Sequence, residues 1–363
     1  MTFRQLYLVE KYNLSTQKPK PLLLILTDTK SHGGISNFNK NLINSLHNYR
    51  LTIIALNDDK RDQKIKGFRG NKAQFLFSII SHLLLKPQLA IIGHLHFTPI
   101  AVFCKLVKVK NIALLHGIEA WKPKPSLVKY LPHVNEYWAV SNYTKSKFEE
   151  ETKTANHKVK LIFNTLPKQS KDNEVEKYKS HYFLSVARLD ENEKYKGIDI
   201  TLRSLVSIKN WLISKNWTFE IVASGNDLKR HLVLVESLGL GEIVNFHTNL
   251  DDQSLNSLYK NCTFFALPSS GEGFGIVYLE AMMHKKAIIG AINCGSEDVI
   301  VDGKTGFLIE PTEEKIRNKI EYLINNPDKR KTFGLNGYRH FRDNFSNSKF
   351  NELINKLVIT CVG

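Results

Sequence analysis

Short, almost purely apolar runs alternate along the chain with longer stretches whose apolar residues recur at helical spacing. Pro21 to Thr27 is the first such run, and a strand buried on both faces of a parallel sheet reads this way. Leu51–Leu56, Leu89–Leu95, Asn111–Leu115 and Glu136–Val140 continue a first series of strands. Helices are expected between them over Asn37–Tyr49, Ala73–Leu85 and Ile100–Val107. After Leu161–Pro167 the pattern lapses. Lys168–Ser180 is polar and charged with no apolar period, which predicts a linker. A second series opens at Tyr182–Ala187 and repeats at Phe219–Ala223, Ile243–His247, Thr263–Leu267, Ala287–Ala291 and Gly306–Ile309. Helices over Glu313–Asn325, Lys329–Phe345 and Ser348–Ile359 follow. Two successive βαβ series about a linker predict an α/β chain of two Rossmann-like domains facing a central cleft. The expected divisions are residues 1–167, a linker over 168–180, residues 181–340, and a closing helical segment over 341–363.

Composition narrows the partners. A length of 363 residues suits about two domains, and 42% hydrophobic with 24% charged residues is ordinary for a globular chain. The four cysteines lie far apart with no Cys-x-x-Cys spacing, which predicts reduced thiols in a cytoplasmic protein. Met1–Lys20 carries Glu10 amid a short apolar stretch and lacks the apolar core of a signal peptide. Leu89–Cys104 falls short of the ~20 residues of a membrane span and contains His94, His96 and Pro99, so no transmembrane helix is expected. The net charge of +16 admits nucleic acid, anionic lipid headgroups or phosphorylated substrates as partners. Its basic residues are scattered, with no RNP pattern, helix-turn-helix or paired Cys/His finger, which argues against nucleic acid.

Candidate chemistry gathers at strand ends. In Cys262–Ala287 a strand runs through Pro268 into Gly271, Gly273 and Gly275, then into a helix from Ile276. Strand, glycine loop and helix start aim free backbone N–H groups at an anion, usually a phosphate. Glu272 lies inside that loop and Glu280 almost two turns into the helix. Glutamates eight apart arise often by chance, but one set in a glycine loop at a strand end is a better candidate. A similar turn carries Gly33 and Gly34, and His116 follows the strand Asn111–Leu115. Past the strand at 182 come Arg188, Lys194 and Lys196, cations gathered at a strand's carboxyl end. A cation there would attract an anionic ligand by on the order of 4 kcal/mol at ~4 Å in an effective dielectric near 20. His94 and His96 fall two apart and would share a strand face, but no third metal ligand sits at a sensible spacing.

These motifs together resemble those of retaining nucleotide-sugar glycosyltransferases of the family 4 type, which have the GT-B fold. Glu272 to Glu280 resembles the Glu-x7-Glu signature, and Gly295 to Leu308 is similar to the block "G-x-x-E-x-V-x-D-G-x-T-G-x-L". His116–Trp121 resembles "H-G-x-E-x-W", and Val140–Lys145 resembles "V-S-x-Y-T-K". Ala223-Ser224-Gly225 departs from the family's "G-x-G" at its first position. The resemblance implies a final helix that crosses back to the first domain. It implies donor binding by Arg188 with Lys196 (or Lys194), by the helix start Phe274–Gly275–Ile276, and by Gly33 and Gly34, which would face the donor diphosphate or the acceptor. Thr248 would border the base, Glu280 the ribose hydroxyls, and His116 the donor sugar or its phosphate. Glu272 would hold the transferred sugar, whether or not it is also a nucleophile. No Asp-x-Asp stands at a strand end, so neither a cofactor nor an essential metal is expected. The implied reaction moves a hexose from a UDP- or GDP-sugar to a glycan acceptor. The basic charge and the Met1–Lys20 extension, which no family motif covers, fit a lipid-linked acceptor in cell-surface polysaccharide, with the protein peripheral on an anionic cytoplasmic membrane face; a lysine-rich composition alone fits the charge equally well. A non-catalytic nucleotide-sugar or glycan-binding protein is the alternative, as is a GT-B transferase acting on a protein or small molecule.

Overall fold

A computed structural model describes residues 21–31, 33–59, 65–167 and 181–362. The expected linker Lys168–Ser180 and the stretch Met1–Lys20 lie outside these residues. The first sheet is built from β1 (Pro21–Leu26), β2 (Arg50–Ala55), β3 (Ile65–Gly67), β4 (Leu89–Ile92), β5 (Lys110–Leu115), β6 (Glu136–Ala139) and β7 (Val159–Leu161). The second holds β8 (His181–Arg188), β9 (Trp217–Ser224), β10 (Val244–His247), β11 (Phe264–Ala266), β12 (Ala287–Ala291) and β13 (Gly306–Ile309). Every pairing in both is parallel, in the orders β3-β2-β1-β4-β5-β6-β7 and β10-β9-β8-β11-β12-β13.

Parallel strands covered by helices on both faces must be apolar throughout, and Leu22 to Leu26 are fully buried for that reason. The strand order reverses between β1 and β4 in the first sheet and between β8 and β11 in the second. Helices diverge to opposite faces at such a point, leaving a crevice at the strands' carboxyl ends where ligands bind. Three of the candidate turns, after β1, β8 and β11, stand at these two crevices, and His116 follows β5, the strand next to β4.

The closing helices are Glu313–Asn325, Pro327–Asn344 and Asn347–Val362. The last crosses back to the first domain, as the resemblance implied. Ser45 Oγ donates to Asn351 Oδ1 (2.5 Å), Asn355 Nδ2 to the Ser45 carbonyl (3.2 Å) and Asn347 Nδ2 to the Leu166 carbonyl (2.6 Å). Phe350 packs edge-on against Phe38 of helix Gly34–Ser45. Thr165 Oγ1 reaches the Phe345 carbonyl at 2.6 Å. Two expectations shift locally. The helix expected over Asn37–Tyr49 starts earlier, with Gly33 as its cap. β4 ends at Ile92, so His94 caps a short turn, Leu95–Phe97, and does not share a strand face with His96.

Candidate functional site

Lys196 is placed by a backbone interlock. It ends the turn Lys194–Lys196 beyond β8 and precedes Gly197, whose φ of +78° is a left-handed conformation open to glycine. A Cβ at Gly197 would stand 2.4 Å from the Pro268 carbonyl oxygen, so this turn lies flat against the end of β11. The Tyr195 carbonyl accepts from the Ser270 N–H (2.9 Å) and the Ser269 hydroxyl (3.1 Å), and Gly271 leaves room for the Tyr195 ring. These contacts bring two candidate residues 76 positions apart into an ion pair, with Lys196 Nζ 2.8 Å from Glu272 Oε1. Both side chains are largely buried. Burial works against the lysine charge, but the Glu272 carboxylate outweighs it and holds the Lys196 pKa above its ordinary value. Lys194 stays exposed at the surface.

The same loop touches the first domain. A Cβ at Gly273 would fall 2.1 Å from the His116 carbonyl oxygen, and Thr144 Oγ1 donates to the Gly273 carbonyl at 3.3 Å. Trp121 Nε1 in turn donates to Thr144 Oγ1. Beside them the Asp298 carboxylate accepts from the Asn142 N–H (2.7 Å) and Nδ2 (2.5 Å). Asn142 is the first residue of helix Asn142–Thr152, where a carboxylate is favoured by the unpaired N–H groups and the helix dipole. Asp298 and Gly295 belong to one quoted motif, Asn142 and Thr144 to another, so the two blocks meet across the cleft. Gly295 N–H also donates to the Glu272 carbonyl at 2.8 Å.

His116 is held by its own surroundings. Its Nε2 lies 3.0 Å from the Gly93 carbonyl, which can only accept, so Nε2 carries the hydrogen. Burial keeps the imidazole below its ordinary pKa, against the pull of Glu119, and the neutral ring presents Nδ1 as an acceptor. Glu119 receives the His116 and Gly117 N–H groups. His94 stacks near the ring at 6.3 Å, and burial lowers its pKa to about 4. Among the described residues no group of three His, Cys, Asp or Glu side chains is set to hold a metal ion.

Helix Ile276–Met283 starts at Gly275, whose φ is +88°. Its first N–H groups have no partner within the helix and face out of its amino end. The Tyr278 hydroxyl ties it to the Leu267 carbonyl beside β11. Phe274, expected at the donor, buries its ring between Phe163 and Phe345, so only its backbone is left for a ligand. Glu280 lies in the second turn, where burial pushes its carboxyl up to about 7 against the hydrogen bond from the Tyr259 hydroxyl (2.7 Å).

The remaining candidates stand apart from this pair. Arg188 ends β8 largely exposed and pairs with Glu193. Thr248 is exposed just past β10. Gly33 and Gly34 are exposed, with open space wherever a Cβ would stand, and Gly33 is in extended backbone that any residue adopts. Sequence reasoning missed Tyr259, Glu193, Asn142 and Asp298. The last two lay inside quoted motifs, but a motif does not say which partner it faces.

Residues 167–340 match the family described as "Glycosyl transferases group 1". Over 242 residues the chain is 31% identical to the alpha-1,3/1,6-mannosyltransferase ALG2 of Mus musculus, covering 61% of this chain and 58% of that protein. The match thus spans little more than half the length of that relative. An uncharacterised glycosyltransferase of Methanocaldococcus jannaschii is 26% identical over 336 residues, 86% of this chain and 91% of that one. In fold, the chain is similar to Anabaena HepE solved with UDP and glucose, with a TM-score of 0.78, 16% identity, and coverage of 94% of this chain and 100% of that one. Residues 167–340 therefore belong to the glycosyl transferases group 1 family, on the GT-B fold that the family 4-type motifs implied.

Proposed function

We propose that the protein is a retaining hexosyltransferase that moves a sugar from a UDP- or GDP-sugar to a glycan acceptor, lipid-linked and serving cell-surface polysaccharide. The observation that carries this reading is the pairing of Lys196 with Glu272, the glutamate being set in a glycine loop that ends at a helix amino terminus and abuts the first domain at His116. The names of relatives support it, mannose being the sugar that the ALG2 name prints.

The donor diphosphate would take Lys196 and the N–H groups at Phe274–Ile276. Arg188 would turn to it from Glu193, which holds it at the surface. A diphosphate on Lys196 frees the Glu272 carboxylate to hold hydroxyls of the transferred sugar, whose departure develops the charge that these fixed donors stabilise. The His116 Nδ1 would accept from a sugar hydroxyl. Glu280 would accept from the ribose hydroxyls. The leaving phosphate, placed beside the acceptor hydroxyl, takes its proton on the same face, and this route asks no protein group to act as base. The residues named supply charge and orientation without a metal or cofactor.

Binding and slow hydrolysis across UDP- and GDP-sugars, with Glu272→Ala and Lys196→Ala beside wild type, test the site. One donor that binds and is cleaved, with both variants deficient, upholds it. Variants that match wild type would sink the assignment and favour a binding protein. The anomeric configuration of the product, read by NMR, decides retention.

A further inference from the structure

We infer that the outer face of helix Lys72–Leu83, together with Leu84, Leu85 and the end of helix Pro99–Leu106, seats the protein on an anionic lipid bilayer. Helix Lys72–Leu83 buries Phe75, Ile79 and Leu83 against the first sheet, a stripe at spacings of four. The opposite face of such a helix is ordinarily polar. Here Phe77 is 75% exposed, Leu84 61% and Leu85 77%, with Leu76 beside them. At ~100° per residue, Ala73, Phe77 and Leu84 fall within one narrow sector opposite the buried stripe.

The neighbouring helix Pro99–Leu106 adds Leu106, 72% exposed. Both helices cover the same side of the sheet, since Phe75, Ile79 and Leu83 share a core with Ile100, Ala101 and Cys104. They lead into adjacent strands, β4 and β5, which begin in register at Leu89 and Lys110. Their carboxyl ends therefore finish side by side at the amino edge of the sheet. The cleft opens at the other edge and stays uncovered.

Charge selects the partner. From Ile65 to Ile118 the sequence contains no Asp or Glu, although the chain has 35 of them. Lys66, Lys72, Lys86, Lys105, Lys108 and Lys110 are all exposed over that stretch. Lys66 Nζ donates to His82 Nε2 at 2.9 Å, beside Phe77 on the same helix. Apolar side chains that enter the headgroup boundary, rimmed by lysines that meet lipid phosphates, make an interfacial anchor. A second copy of the chain would set these cations against themselves, which disfavours self-association through this face.

The inference deepens the lipid-linked-acceptor reading and rests on it for its purpose. Its test needs no donor: full-length chain is floated with phosphatidylcholine vesicles, with or without phosphatidylglycerol. Binding to the anionic vesicles that weakens with salt is expected. Phe77→Ser/Leu85→Ser and Lys72→Glu/Lys86→Glu should each lower it by about tenfold or more. Both variants should keep wild-type thermal unfolding and wild-type donor cleavage. A wild type that stays off anionic vesicles overturns the inference, as do variants that float like wild type. A dimer that Phe77→Ser/Leu85→Ser splits without change in vesicle binding overturns it too. Failure of donor cleavage in wild type would instead count against the transferase reading and leave vesicle binding intact.

Discussion

Lys196 and Glu272 neutralise each other in a largely water-free position, so removing either leaves its partner charged and unpaired. On the proposed mechanism Lys196→Ala would also take away a cation from the leaving diphosphate, and kcat/KM for transfer should fall on the order of a hundredfold or more, as when one transition-state donor is removed elsewhere. Lys194→Ala, on the exposed side of the same turn, should change it little. Steady-state kinetics on the two variants separates the lysines. Glu280 yields a pH prediction. Its folded pKa of about 7 is raised above the ordinary carboxylate value, so the folded state holds a proton that the unfolded state releases. The sign follows: stability is fullest below about pH 4.5 and declines as pH rises through 7, by up to about 3 kcal/mol for this group. Thermal unfolding from pH 5 to 8 should show that decline in wild type and a shallower one in Glu280→Gln. A parallel decline in both would mean that another group titrates.

Turns position the site, and glycine geometry decides whether they can. Gly197→Ala sets a left-handed alanine against the Pro268 carbonyl oxygen at 2.4 Å. The backbone strain alone costs about 1–2 kcal/mol, and relief of the contact would move Lys196 off Glu272. Denaturant unfolding should show at least that loss. Donor binding should weaken beyond what stability accounts for. The strands and the paired glutamates were legible in the sequence because a buried parallel strand is apolar at every position and glycine loops interrupt it abruptly. β3 and β7, three residues each, carry too few apolar positions to announce themselves. The Lys196–Glu272 pair was harder to read. Both residues could be named, but the contact depends on how the turn after β8 lies on the end of β11, and no local spacing encodes that. Arg188 could likewise be named, while its partner Glu193 could be either a surface charge or a latch.

At the scale of the molecule, the two domains meet through little side-chain bulk where the glycine loop faces His116. Gly273→Ala should therefore leave each domain's fold intact yet hold the cleft apart, since its Cβ would overlap the His116 carbonyl at 2.1 Å. A larger radius of gyration by small-angle scattering, with unchanged far-ultraviolet circular dichroism, is the expected signature. Asp298→Ala removes the carboxylate that caps helix Asn142–Thr152 from the other domain and should act in the same direction, more weakly. Compaction equal to wild type in both would show that closure rests on other contacts. The crossing helix Asn347–Val362 has a consequence in time as well as in space. Phe350, Ile354 and Val358, which it buries, are translated after both sheets are complete. Until they emerge from the ribosome, Phe38 and its helix hold an uncovered groove on a domain whose own strands are already made. That interval is when a nascent chain is most open to capture by a chaperone or by its neighbour on the same message. Slowing translation over the codons for 347–362 would lengthen it.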